Sequence, residues 1–64
     1  KMAIENYYYT LVQQGNDTFS WNVIETQTNQ TIAEYLFEDD AIEPVMHLMS
    51  GGGFDGFTPR FFLD

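Results

Sequence analysis

The residues that could do chemistry are one histidine and the carboxylates that precede it. His47 is the only histidine in the chain, and histidine is the residue type that most often exchanges protons near neutral pH. Glu43 lies four residues before His47, on the same side of a helix. One histidine with one carboxylate neighbour offers too few ligands for zinc. The sequence therefore favours an ordinary surface histidine over a metal ligand.

Four carboxylates, at Glu38, Asp39, Asp40 and Glu43, could in principle hold a hard cation. A calcium-binding loop alternates its acidic residues and then requires a glycine, and that pattern is absent. Negative charge is favourable at the start of a helix, because the first amide groups point their N–H toward it. We therefore interpret these residues as the capped start of a helix.

The sequence motifs for a phosphate-binding loop and for a catalytic nucleophile are also incomplete. Gly51–Gly53 follow the predicted helix, whereas a phosphate-binding loop precedes its helix and is followed by a lysine. Ser20 and Ser50 have no histidine and aspartate arranged around them, and the chain has no cysteine. A pair of catalytic carboxylates needs a cleft that 64 residues can hardly form alone. The sequence predicts neither an enzyme nor a cofactor.

Three segments rich in β-branched and aromatic residues predict strands at 6–13, 18–26 and 31–37. Turn-forming residues separate them at 14–17 and 28–30, so the strands should form an antiparallel meander. The period-two alternation predicts which side chains lie on the face of the sheet that packs against the helix: Phe19, Trp21, Val23, Tyr35 and Phe37.

A short helix is predicted at about residues 40–50. Asp39 or Asp40 is the predicted N-cap, and Pro44 is expected in the first turn, where the amides lack partners in the helix. Gly51 should end the helix. The apolar stripe predicted to face the sheet is Ile42, Val45, Met46 and Met49.

The last fourteen residues, 51–64, are rich in glycine and phenylalanine. So many aromatic side chains predict a segment that folds back on the sheet or helix, with 60–63 as a candidate fourth edge strand. The predicted fold class is α+β, in one domain over residues 1–64. It has a three- or four-stranded antiparallel sheet with one short helix on one face, in the order β-β-β-α-(β).

Several of these features occur in the same order in a known group. Trp21-Asn22-Val23, Glu38-Asp39-Asp40-Ala41 and the run from Phe54 to Phe62 resemble the Trp-x-Val strand, acidic helix start and Gly-Phe-x-Gly-x-Thr-Pro tail of that group. It comprises small uncharacterised proteins of marine cyanobacteria and their phages. The resemblance implies a free-standing small phage or bacterial gene product, and it implies no activity or catalytic residue.

Size and charge limit the possible partners. The net charge is -8, from ten acidic residues against Lys1 and Arg60, so direct binding to nucleic acid is not expected. A chain this short forms only a small core, and without cysteine a second copy is the expected source of stability. No signal peptide and no run of about 20 apolar residues is present, which predicts a cytoplasmic protein (host cytoplasm if viral) and no membrane contact.

The outer face of the predicted sheet carries more apolar residues than a solvated face should. Three explanations are open: the C-terminal segment covers it, two protomers pack back to back through it, or another protein docks there. The predicted partner-binding residues are an apolar group and an acidic group: Tyr8, Ile24, Ile32 and Leu36, and Glu38, Asp39, Asp40 and Glu43.

The predicted function is a small acidic protein-interaction module, plausible as a homodimer, that modulates a partner protein. One alternative is a nucleic-acid mimic that inhibits a DNA- or RNA-binding protein, which requires carboxylates spaced along one face like phosphates. The other alternative is a subunit of a small oligomeric enzyme or ligand-binding protein, which requires a cleft in the oligomer.

Overall fold

The fold is a three-stranded antiparallel sheet with one helix packed against it. The computed structural model describes residues 6–54 and 56–62. The strands are β1, Tyr7–Gln13, β2, Phe19–Glu25, and β3, Gln30–Tyr35; the helix α1 spans Glu38–Met49, and a 3-10 helix spans Arg60–Phe62. The predicted α+β class and the order β-β-β-α are confirmed. Residues 60–62 form the 3-10 helix and not a fourth strand, and residue 63 lies outside the described residues.

Short turns set the register of the sheet. The N–H of Gln14 donates to the carbonyl oxygen of Thr18 over 2.7 Å, which closes the first hairpin. In the second turn Asn29 has φ 59°, a left-handed conformation that asparagine tolerates better than most residues, and its N–H donates to Glu25. All seven residues of β1 pair without interruption with β2, which is the central strand.

Pairing places opposite residues on the same face of the sheet. The helix face carries Trp21, paired with Tyr35, and Val23, paired with Ala33, and these residues form or pack against the core. Phe19 and Phe37, which were also predicted there, are 48% and 67% exposed. The other face, here called the outer face, carries the alternate residues, including Ser20 and Asn22.

A β-bulge corrects the predicted position of Ile32. Val23 pairs with Ala33 but Ile24 pairs with Thr31, so Ile32 is an extra residue in β3. Such a bulge re-aims a side chain. Ile32 is fully buried in one cluster with Val23 and with Ala41 and Leu48 of the helix, and its predicted place on the outer face is wrong.

The helix also differs from the prediction. It begins at Glu38 with Phe37 as N-cap, and no side chain caps it, so Asp39 and Asp40 lie in the first turn instead. Because the helix begins earlier than predicted, Pro44 is its seventh residue and lies inside it, where proline removes one hydrogen bond to the preceding turn.

The buried side of α1 is not its most apolar stripe. Ala41 and Leu48 are buried and Val45 packs against the core. Met46 and Met49, which were predicted to face the sheet, are 66% and 44% exposed. Because Ala41, Val45 and Leu48 are on the side of the helix that faces the sheet, the two methionines lie outside this contact.

The segment after α1 returns to the sheet. Phe54 and Phe57 pack against the core and meet edge to face, with ring centroids 5.8 Å apart. The 3-10 helix contacts β3, where the Arg60 Nε lies 3.8 Å from Glu34 Oε1. The C-terminal segment thus lies along β3, one of the two edge strands.

Candidate protein-interaction surface

The four predicted apolar contact residues do not form one patch. Tyr8 and Leu36 are exposed, at 37% and 74%, but Ile24 and Ile32 are buried, so the prediction that these two isoleucines offer a contact surface is wrong. Ile24 is on the central strand, where Tyr8 and Thr31 lie directly opposite on both sides. Tyr8 is near the start of the edge strand β1, whereas Leu36 follows the end of the other edge strand, β3, so the two side chains share no surface.

Polar side chains occupy much of the outer face. The hydroxyl of Ser20 donates to Asn22 Oδ1 and accepts from Gln14 Nε2, both over 2.6 Å. Ser20 and Asn22 are buried and satisfied in this way, so their burial needs no partner protein. The outer face is therefore a weaker candidate for an interface than the sequence indicated.

A different surface brings apolar and acidic residues together. Leu36 and Phe37 form the exposed link between β3 and α1, and the first two turns of the helix follow directly. We call this the helix-start surface; its members, all of them exposed, are Leu36, Phe37, Glu38, Asp39, Asp40 and Glu43. The four predicted acidic residues are thus together on one exposed surface, next to one of the four predicted apolar residues.

Two tyrosines of the helix face feel the charge of this acidic turn. The Tyr9 hydroxyl donates to Glu38 Oε2 over 3.2 Å. Burial raises the pKa of Tyr9 above 10.0, and the hydrogen bond to Glu38 and the charges of Glu38 and Asp39 act in the same direction. Burial likewise raises the pKa of Tyr35, with the negative charge of Asp40 adding to it. Both phenols therefore remain neutral donors beside the carboxylates.

An open cleft of about 690 Å³ lies between the helix start and the C-terminal segment. Its lining combines carboxylates with aromatic and small residues: Tyr35, Asp39, Asp40, Glu43, Pro44, His47, Gly56 and Phe57. Three carboxylates around an aromatic wall suit a cationic group, because the charge is attracted while the rings cover its aliphatic stem. The cleft adjoins the helix-start surface, with which it shares Asp39, Asp40 and Glu43.

His47 is a packed residue and not the free surface histidine that the sequence favoured. Its ring lies under the backbone of Gly52, whose N–H donates to the His47 carbonyl oxygen over 2.9 Å. Its Nε2 atom is buried and has no hydrogen-bond partner among residues 6–54 and 56–62. His47 thus holds the end of the helix against the following turn.

The carboxylates of the described residues do not follow one face. Asp17 lies in the first turn, Glu25 ends β2, and Glu34 is on the outer face beside Arg60. Only the helix start concentrates them. This distribution does not match the row of phosphate-like spacings that a nucleic-acid mimic requires.

Groups for nucleophilic or metal chemistry are not assembled in the described part of the chain. Ser50 donates its hydroxyl to the His47 carbonyl oxygen, over 2.8 Å, and Ser20 bonds to amide side chains, so neither hydroxyl is bonded to an imidazole. Within residues 6–54 and 56–62, no three histidine, cysteine or acidic side chains are grouped so that they could hold a metal ion. The described helices are also too short and too polar to cross a membrane.

No protein-family model, curated protein or solved structure matches this chain. The resemblance to small phage and cyanobacterial proteins therefore stays a prediction, and the assignment of function depends on the geometry of the molecule itself.

Sequence reasoning missed Phe37 in the helix-start surface, and Tyr35 and Phe57 in the cleft. Phe37 was assigned to the buried face by alternation, which ends at Tyr35 because the chain leaves the sheet there. Tyr35 and Phe57 line the cleft only because the C-terminal segment returns beside β3. A usable signal was present for Phe37: three acidic residues directly follow it, and acidic residues are enriched in the first turn of a helix, which places the helix start at residue 38.

Proposed function

We propose that this chain is an acidic protein-interaction module that binds a basic, partly apolar surface of another protein through the helix-start surface. The observation that carries the proposal is the exposure of Leu36 and Phe37, at 74% and 67%, immediately before four exposed carboxylates. Large apolar side chains at a surface add binding free energy when a partner covers them, about 1.5–3 kcal/mol each for full burial.

The two groups have different roles in this interaction. Leu36 and Phe37 supply affinity, because a partner that covers them removes their exposed apolar area from water. The carboxylates attract a basic partner during its approach and disfavour acidic ones, which raises the association rate and the specificity. The cleft beside Tyr35 receives a lysine or arginine side chain of the partner. Binding in this way would let a small phage or bacterial accessory protein modulate the protein that it covers.

The test is a titration of ¹⁵N-labelled protein with three short synthetic peptides, one of alternating lysine and leucine, one of lysine and glycine, and one of glutamate and leucine. We expect the lysine–leucine peptide to shift the amide resonances of residues 36–43. The lysine–glycine peptide should bind more weakly and lose binding in salt, because only screened charges hold it. The glutamate–leucine peptide should not bind.

Matched variants separate the two roles. Replacement of Leu36 and Phe37 by serine should remove the salt-resistant part of the affinity, whereas Tyr8→Ser, at another exposed aromatic, should leave it unchanged. Glu43→Gln should slow association, and Asp17→Asn is the control for loss of one charge away from the surface. Equal shifts around Asp17, Glu25 and the helix start would show unspecific polyanion behaviour and would contradict the proposal.

A further inference from the structure

The two edges of the sheet are protected very differently. At β3 the strand is bulged at Ile32 and carries Glu34, and the 3-10 helix packs against it. Strand β1 has seven residues in unbroken register, with no proline, no charged residue and no bulge. Natural proteins protect edge strands with such features, because an open edge pairs readily with another strand. An edge strand that lacks these protective features is suited to pairing with another strand.

The backbone groups of β1 that point to the open edge can be identified. The N–H of Thr26 donates to the carbonyl oxygen of Asn6, and the N–H of Gln14 to that of Thr18, so even-numbered residues bond toward β2. Bonding direction alternates along an antiparallel strand. The odd-numbered residues of β1 therefore present their N–H and C=O groups outward: Tyr7, Tyr9, Leu11 and Gln13.

We propose that this edge pairs with β1 of a second copy of the chain, about a two-fold axis at Thr10, to form a continuous six-stranded sheet. This register uses all four outward residues, since Tyr9 then pairs with Leu11 of the other copy and Tyr7 with Gln13. On the outer face Tyr8 meets Val12. Each cross-strand contact joins an aromatic to an aliphatic or amide side chain, or threonine to threonine, and such pairs stabilise sheets.

The second copy is the occupant that the charge distribution favours. Two molecules of charge -8 repel each other over most of their surfaces, but β1 is uncharged along its whole length. The same strand on both sides is self-complementary, as a two-fold interface requires. The acidic helix-start surface, in contrast, suits a basic partner and not a second acidic copy, so the two surfaces serve different occupants.

The helix contributes apolar area beside the same edge. Glu38 bonds to Tyr9 of β1, and Ile42 and Met49 share its side of the helix, at four- and eleven-residue spacing. A two-fold axis at Thr10 brings this side of both helices toward the seam. The buried hydrophobic core of the described residues holds only Val23, Ile24, Ile32, Ala41 and Leu48. A core of this size gains from added burial at a dimer seam.

The experiment measures solution mass by light scattering and, in the same samples, amide hydrogen exchange by NMR. A dimer is expected, with the amides of Tyr7, Tyr9, Leu11 and Gln13 protected as well as those of the even-numbered residues. In a monomer the outward amides would exchange with the solvent freely. The protection pattern tests the proposal on the wild-type chain, without any variant that could fail to fold.

Leu11→Lys places a charge at the edge and should raise the dimer dissociation constant roughly tenfold or more, with loss of protection at the outward amides. Phe19→Lys is the matched control, because Phe19 is 48% exposed where Leu11 is 50%, and it lies on the central strand. It should leave the dimer intact.

Three results would overturn the proposal. The first is a monomer in which the outward amides exchange freely. The second is a dimer in which only the even-numbered amides are protected. The third is a monomer in which the outward amides are protected, because the chain's own terminal residues would then cover β1. None of them affects the peptide titration at the helix-start surface, so this proposal can fail while the proposed function stands.

Discussion

At the scale of single residues, Gly52 is the one glycine at which an added β-carbon would meet another residue of the described chain, the imidazole of His47. A β-carbon built on Gly52 would overlap three atoms of the imidazole ring. Gly52→Ala should therefore force the ring aside and lower the free energy of unfolding by about 1–3 kcal/mol, as overpacking does elsewhere. Urea denaturation followed by tryptophan fluorescence of Trp21 measures this change.

Two controls make the cause of that loss specific. Gly15→Ala meets no atom within 4 Å, so it should be neutral or stabilising by up to about 1 kcal/mol through the unfolded chain. In a His47→Ala background most of the cost of Gly52→Ala should disappear, because the ring is gone. An unchanged cost in that background would show that backbone conformation, and not the ring, requires the glycine.

The tyrosines beside the helix start allow a residue-scale prediction on pH. Because the pKa of Tyr9 and of Tyr35 is raised in the folded state, the folded protein holds these protons more tightly than the unfolded chain does. Their contribution to stability is complete below pH 10.0 and is lost as the pH rises through the folded values. Unfolding experiments should show stability falling above about pH 10.

Absorbance or NMR titration of the phenols tests the assignment of causes. Glu38→Gln should move the titration of Tyr9 down toward 10.0 and leave that of Tyr35 in place. Asp40→Asn should lower the pKa of Tyr35 and leave the titration of Tyr9 in place. Equal effects of both variants on both tyrosines would mean that the net charge of the helix start acts as a whole.

At the scale of elements, the orientation of α1 gives a direct test. Leu48 is 4% exposed in the core and Met46 is 66% exposed. Leu48→Ala should lower the free energy of unfolding by about 2–5 kcal/mol, and Met46→Ala by less than about 0.5 kcal/mol. Chemical denaturation of both variants measures these two losses in the free energy of unfolding. A larger loss at Met46 would restore the stripe that the sequence alone predicted.

The same element shows how far sequence reasoning reaches. The three strands and the helix could be predicted, because alternation and three- to four-residue spacing are local properties. The buried side of the helix could not, because the side with Ala41 and Leu48 is less apolar than the predicted stripe and is identified only by its packing against the sheet. The bulge at Ile32 could not be predicted either, because an extra residue in β3 is recognised only from the pairing of β3 with β2. At the candidate site the acidic residues were predicted, but Phe37 and the cleft depend on where the chain leaves the sheet and returns.

At the scale of the whole molecule, charge sets the response to salt. Ten acidic residues face two basic ones, so the folded chain repels itself and its four helix-start carboxylates repel each other most strongly. Salt also weakens two favourable interactions, that of the first-turn acids with the helix dipole and the partly exposed Arg60–Glu34 pair at 3.8 Å. These contribute about 0.3–1 kcal/mol or less each. The excess of like charges should therefore dominate.

We expect the melting temperature to rise by about 4–8 °C between roughly 0.01 M and 0.1 M NaCl, which corresponds to about 1 kcal/mol in the free energy of unfolding. Over this range the electrostatic screening length falls from about 30 Å to about 10 Å. Scanning calorimetry at one fixed protein concentration measures it, so that association does not shift the midpoint between samples. Glu43→Lys removes two units of net negative charge from the acidic turn and should flatten the salt dependence, whereas Asp17→Lys, which removes the same two units from an exposed turn, should flatten it less. A melting temperature that falls with salt would mean that the helix dipole and the ion pair outweigh the repulsion, and that the acidic turn stabilises the folded chain.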